Sequence, residues 1–279
     1  TPADTEDIQV TVRVAPTFAP VSSVVVRYRV MFDADTELAL FDDGAHGDGA
    51  AGDGVYGRVL PIAATSTNGQ MVRWFFRATD SVGRVSRWPL FLAPTDTEYF
   101  GTVVNPNYVT SALPIVHLFA PPTILQPGPT TTQVGADSET GGRLALFLDG
   151  EFYDNIYMEL RGNTSATQNK KAHRLEFNRD HLFRHPGPGP RLRKTSFLSE
   201  PTDSSYLHQH LSFWFLRLIG VDSPFDYPIR LQLNGAFYQL AFNNDVLGEE
   251  QLDRLGYDVN GALYKAVGNV NITYSSTGG

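Results

Sequence analysis

Apolar and polar residues alternate along the first third of the chain. Ile8-Gln9-Val10-Thr11-Val12-Arg13-Val14 has an apolar residue at every second position, the period of a strand with one buried face. Runs of similar character span Val24 to Val30, Val55 to Leu60, Met71 to Ala78 and Glu98 to Val104. Turn signals at Asn68-Gly69, Asp80 to Gly83 and Pro94 to Asp96 separate them at intervals typical of a sandwich. No segment here has helical periodicity. The pattern predicts an all-β, immunoglobulin-like or fibronectin-like sandwich over residues 1–105.

After Asn105-Pro106-Asn107 the pattern changes. Leu113 to Phe119, Gly142 to Leu148, Tyr157 to Arg161 and Lys171 to Phe177 read as strands, with a Pro/Gly/Thr-rich stretch from Pro121 to Thr132 between the first two. Pro186-Gly187-Pro188-Gly189-Pro190 has almost no backbone donors and must be a loop. Leu207, Leu211, Trp214, Phe215 and Leu218 fall on one helical face, with Asp203 or Ser204 as cap and Gly220 as stop. Asn234-Gly235 marks a two-residue hairpin between Arg230 to Leu233 and Ala236 to Phe242, and Leu247 to Leu255 reads as a short helix ending at Gly256. Residues 106–279 are therefore expected to form an α+β domain.

Composition narrows the field. The 279 residues are 42% hydrophobic, 12% aromatic and 19% charged, enough apolar content for two cores and too much for a disordered chain. No run approaches the ~18 apolar residues that a membrane helix needs. A net charge of −8 argues against a general nucleic-acid surface. The chain has no cysteine, which excludes disulfides, thiolate zinc sites, iron–sulfur clusters and a Cys nucleophile. It opens on Thr1 and stops at Ser275-Ser276-Thr277-Gly278-Gly279, and is expected to be a fragment cut at both ends.

Two segments invite chemistry. Asp42-Asp43-Gly44-Ala45-His46-Gly47-Asp48-Gly49-Ala50-Ala51-Gly52-Asp53-Gly54 contains a literal GxGxxG, but a strand rather than a helix follows it, and its four aspartates would repel a pyrophosphate. Asp42, Asp43, Asp48 and Asp53 are hard oxygen ligands that could take calcium, against the plainer reading of a Gly/Asp turn. The second segment holds Arg161, Lys170, Lys171, Arg174, Arg179, Arg184, Arg191, Arg193 and Lys194 against only Glu176 and Asp180. It is either a solvated strand-and-loop face or an anion site, with lysine as point charge and arginine as clamp. His208 and His210 form an HxH whose members diverge on a helix, so a shared metal is disfavoured.

Several of these residues carry a family resemblance. Met158-Glu159-Leu160-Arg161-Gly162-Asn163-Thr164-Ser165, followed by Lys170-Lys171-Ala172-His173-Arg174-Leu175-Glu176-Phe177, resembles the Arg-Gly-x-Ser and Lys-Lys-x-x-Arg-Leu-x-Phe stretch of the spore coat protein H (CotH) kinase family. Asp203 to Gln209, Leu233-Asn234-Gly235-Ala236-Phe237-Tyr238, Leu252 to Gly256 and Gly261-Ala262-Leu263-Tyr264-Lys265-Ala266 follow in the family's order. His208, Gln209 and Gln239 stand where the family has Arg, Asn and Gly. The front half resembles the Ig-like module that precedes such domains in large secreted bacterial proteins.

The resemblance implies an incomplete atypical protein-kinase-like domain over residues 106–279. Its expected activity is transfer of the ATP γ-phosphoryl group to Ser or Thr of a protein substrate with Mg²⁺, in a secreted or envelope-associated bacterial protein. Lys171 is the expected phosphate lysine, since it shares strand parity with Leu175 and Phe177 and points inward. Lys170 and Arg174 are the expected support, and Asp245 the partner of the lysine. The family's catalytic aspartates are expected beyond Gly279. A noncatalytic surface adhesion or scaffold protein is the alternative, and a glycan-binding protein using Trp74, Trp88 and Tyr99 is a third reading.

Overall fold

A computed structural model describes residues 1–124, 141–162, 170–187, 189–262 and 264. In the front unit, β1 (Ile8–Arg13) pairs antiparallel with β4 (Val55–Leu60) as a two-stranded sheet. β3 (Thr36–Ala39), β2 (Val21–Val30), β5 (Met71–Asp80) and β6 (Val85–Trp88) lie side by side in that order, and β7 (Phe100–Val103) pairs with the first half of β5. The sheets close over Val10, Val24, Val26, Leu60, Ile62, Val72 and Phe76. Alternation does its expected work in β2, where Val24, Val26, Tyr28 and Val30 are buried. Two strands, β3 and β6, are too short and polar to show a period and were not expected.

The back unit is a closed barrel. β8 (Ile115–Phe119), β9 (Gly142–Leu148), β10 (Glu151–Arg161), β11 (Ala172–Glu176), β12 (Lys194–Leu198), β13 (Asp226–Leu233) and β14 (Ala236–Asp245) close in the order β10-β11-β12-β14-β13-β8-β9. Neighbours are antiparallel except β8 and β13, which run parallel. The lumen is filled by Val116, Leu118, Leu146, Ile156, Met158, Leu175, Phe197, Ile229 and Leu231, as a small barrel requires. Asn234 and Gly235 take φ of 52° and 86° at the β13–β14 hairpin, the left-handed pair that a type I′ turn demands. Helices α1 (His208–Leu218) and α2 (Glu249–Arg254) are the only α-helices among the described residues, so strands dominate the half expected to be α+β. Asn163 to Ser165 of the resemblance, Leu263, and everything from Lys265 onward lie outside the described residues.

α1 corrects an expectation. Its apolar stripe faces outward, with Leu211, Trp214, Phe215 and Leu218 exposed by 51, 52, 54 and 65%. The half-buried side of the helix carries His210, Phe213, Leu216 and Arg217. His210 Nδ1 lies 3.1 Å from the Asp226 carboxylate, Arg217 lies 3.5 Å from it, and the His210 ring stacks on Phe242. Asp226 is fully buried on the outer barrel wall and needs these polar partners, which favours this rotation of the helix. The N-cap is Leu207, which makes no side-chain cap hydrogen bond, rather than the expected Asp203 or Ser204; Asp203, four residues ahead of it, accepts the His208 N–H at 2.8 Å.

The two units share a core. The outer faces of β8 and β9, through Phe119, Ala145 and Phe147, pack with Phe152 against Met71 and Val103. Those strands are buried on both sides, which is why their sequences are near-continuous apolar runs. A bulge in β10 between Tyr153 and Ile156 turns Asp154 into the joint, where it pairs with Arg73 at 3.3 Å and accepts the Tyr99 N–H at 2.9 Å. Asn155, at φ 53°, donates to the carbonyls of Pro94 and Asp96. A Cβ on Gly101 would lie 2.2 Å from the Phe152 ring, so only glycine permits this approach of β7 to β10.

Candidate functional site

The start of β11 gathers the residues of interest. Lys171, His173, Leu175 and Phe177 are all buried on the inward parity of the strand, as expected for Lys171. Cross-strand register sets His173 between Leu160 of β10 and Phe197 of β12. Neither ring nitrogen of His173 has a hydrogen-bond partner among the described residues. Burial, and then the nearby Lys171 charge, push its pKa down to about 4, so the imidazole is neutral at pH 7. The Lys171 carbonyl accepts the Gln239 Nε2–H at 2.9 Å, which ties β11 to β14. Gln239, the departure from the family's glycine, thus holds the lysine's backbone.

Lys170 lies beside it. Its Nζ donates to the Tyr206 hydroxyl at 2.7 Å and sits 4.3 Å over that ring, while Ser199 Oγ donates to the Lys170 carbonyl. The lysine pair therefore sits at one end of the barrel, bracketed by β14, the segment after β12 and the turn before α1. Tyr206 and His173 are components that the sequence reading did not single out, and Gln239 entered it only as a departure from the family.

The other expected members lie elsewhere. Arg174 is on the outer face, bridged to Glu159 across β10–β11 at 3.2 Å. Asp245 gives its carboxylate to Arg254 at 2.6 Å and to the Phe225 N–H at 3.0 Å. Thr195 opposes both Leu175 and Asp245, which places Asp245 four residues, about 13 Å along the strand direction, from Lys171. Much of the basic segment is a surface lattice: Arg191 pairs with Glu151, and Arg193 and Lys194 with Glu176.

The aspartate loop is a hydrogen-bonded Gly/Asp turn. Asp48 accepts the N–H groups of Asp43, Gly44 and His46, Asp42 those of Gly52, Asp53 and Gly54, Asp43 that of Ala45, and Asp53 that of Val55. Asp48 is buried with its backbone donors, while Asp43 and Asp53 are exposed. Among the described residues no group of three or more His, Asp or Glu could hold a metal. His208 pairs with Asp203 and His210 with Asp226, so the HxH does not converge. A cavity of about 740 Å³ lies in the front unit, away from the lysines. No helix among the described residues is long and apolar enough to cross a membrane.

Residues 158–276 match the family model described as CotH kinase protein. The matched span takes in the lysine pair, Tyr206, α1 and the β13–β14 hairpin. No curated protein matches the chain.

Proposed function

We propose, taking the CotH kinase match as premise, that the barrel unit holds the phosphates of ATP through Lys170 and Lys171. In this reading it serves an atypical protein kinase that phosphorylates Ser or Thr of a protein, with the front unit as its Ig-like accessory module, in a secreted or envelope-associated bacterial protein. The observation that carries it is the lysine pair at the barrel end, inside the matched span, with its backbone held by Gln239 and Ser199. ATP supplies the phosphoryl group. The ammonium groups supply point charges for it, and neutral His173 adds no competing charge beneath them. The phosphate end fits these residues. The described residues offer no donor set for Mg²⁺, so no step is assigned to it.

The test is thermal unfolding with ATP, with and without Mg²⁺. Ligand that binds only the folded state raises the melting temperature by mass action. The expected shift is present in the native chain and in Arg174→Met, and lost in Lys170→Met and Lys171→Met. Absence of a shift in the native chain, or its persistence in both lysine variants, overturns the assignment and leaves the noncatalytic scaffold reading.

A further inference from the structure

The front unit leaves one strand edge open beside an apolar groove. β1 pairs with β4 on one side only. The Val14 N–H donates to the Gly54 carbonyl at 2.8 Å, so in an antiparallel ladder the even-numbered residues of β1 bond toward β4. The N–H and C=O groups of Gln9, Thr11 and Arg13 consequently face the other way, and among the described residues they have no backbone partner. Exposed edges of this kind are usually blunted by charge, proline or a covering segment. Here Val10, Val12 and Val14 alternate along the edge, and Pro16 comes only after it ends.

The groove flanks that edge. A cavity of about 740 Å³ is lined on one side by every residue from Gln9 to Ala15, roughly 20 Å of extended chain. Its far wall is aromatic. Register pairs Phe76 with Trp88 and Trp74 with Phe100, so the four rings share a face, with Trp88 and Phe100 centroids 6.1 Å apart. Trp88 is 58% exposed. A second cavity of about 260 Å³ shares Val14, Ala15, Ala78 and Ser86 with the first and extends the groove to Phe18 and Val85.

We propose that this groove receives an extended strand of a partner protein, which pairs with the free edge of β1 and lays alternate aliphatic side chains over Trp74, Phe76, Trp88 and Phe100. Backbone groups at strand spacing are matched in register by another backbone, which supplies affinity, while the groove selects apolar residues at every second position. The partner's outward positions carry an acidic residue beside Arg13, whose exposed guanidinium has no ion pair among the described residues. A second copy pairing edge to edge would bring its own β5–β7 wall toward the same space and fill neither groove. A glycan would use the rings alone.

The test uses the full chain and a nine-residue synthetic peptide with valine at alternate positions, threonine between them and one central glutamate, read by Trp fluorescence and calorimetry. The expected result is one-to-one binding that a scrambled peptide of the same composition does not show. Thr11→Pro removes an edge N–H without touching a β4 bond and weakens binding at least tenfold. Ser86→Trp fills the groove and does the same, and it carries the test if the proline variant does not fold. Arg13→Glu transfers preference to a peptide with lysine in place of glutamate. Equal binding of the scrambled peptide, or binding unchanged in both Thr11→Pro and Ser86→Trp, overturns the proposal. So does a dimer of the unliganded chain that Thr11→Pro dissolves, since it would make the occupant a second copy.

Discussion

Two imidazoles sealed from water make the fold sensitive to acid. His173 sits in the barrel wall, and His117 lies among Tyr108, Phe119 and Phe147, 2% exposed. Burial pushes both down to about 4 from an ordinary 6.5. Between those values the unfolded chain binds protons that the folded chain refuses. Stability is therefore full above about pH 6.5 and falls as pH drops toward 4, by roughly 3 kcal/mol for each ring. Asp48 adds a loss at lower pH, since the N–H donated by Gly44 and its neighbours holds its carboxyl below the ordinary range. Asp154 acts in the opposite sense, because burial raises its pKa and protonation relieves it. Urea midpoints measured from pH 7 to 4.5 should fall steeply for the native chain and much less for His117→Phe/His173→Phe. Equal slopes would mean that neither ring is sealed. The inward parity of Lys171 was legible from its alternation with Leu175 and Phe177. The contact of Lys170 with Tyr206 was not, because strand parity says nothing about a turn 36 positions away.

At the scale of elements, a period of 3.6 located α1 but could not say which side the barrel would take. The stripe predicts a buried face, and the buried charge of Asp226 turned the other face inward. Leu211→Ser and Phe215→Ser should therefore change stability by under about 0.5 kcal/mol in urea unfolding, where truncating a buried stripe costs about 2–5 kcal/mol. A loss in the larger range would place the stripe in a packed interface. Strand periodicity served better, since β1, β4, β5 and β9 stand within two residues of their expected bounds. β12 went unseen because Lys194-Thr195-Ser196-Phe197-Leu198 is polar, yet Thr195 and Ser196 are fully buried through cross-strand partners. The front half of β10 was hidden by Asp154-Asn155, residues that read as a turn and form a bulge.

At the scale of the whole molecule, the welding of the two units was not legible in the sequence. The joint rests on Arg73 and Asp154, 81 positions apart and almost fully buried. Removing one partner strands the other, so Asp154→Ala should cost about 3–5 kcal/mol, and Arg73→Met/Asp154→Leu markedly less. Additive losses in a double-mutant cycle would dismiss the pair as a unit. The parallel pairing of β8 with β13 has a further consequence for synthesis. Ile115 meets Arg230, a separation of 115 positions. At 5–20 residues per second, a ribosome delivers the closing strand roughly 6–23 s after the opening one. The front unit draws all its strands from residues before Asn105 and is complete by then. It can serve as the template on which Phe119 and Phe147 wait, so the nascent chain shelters its own unfinished barrel.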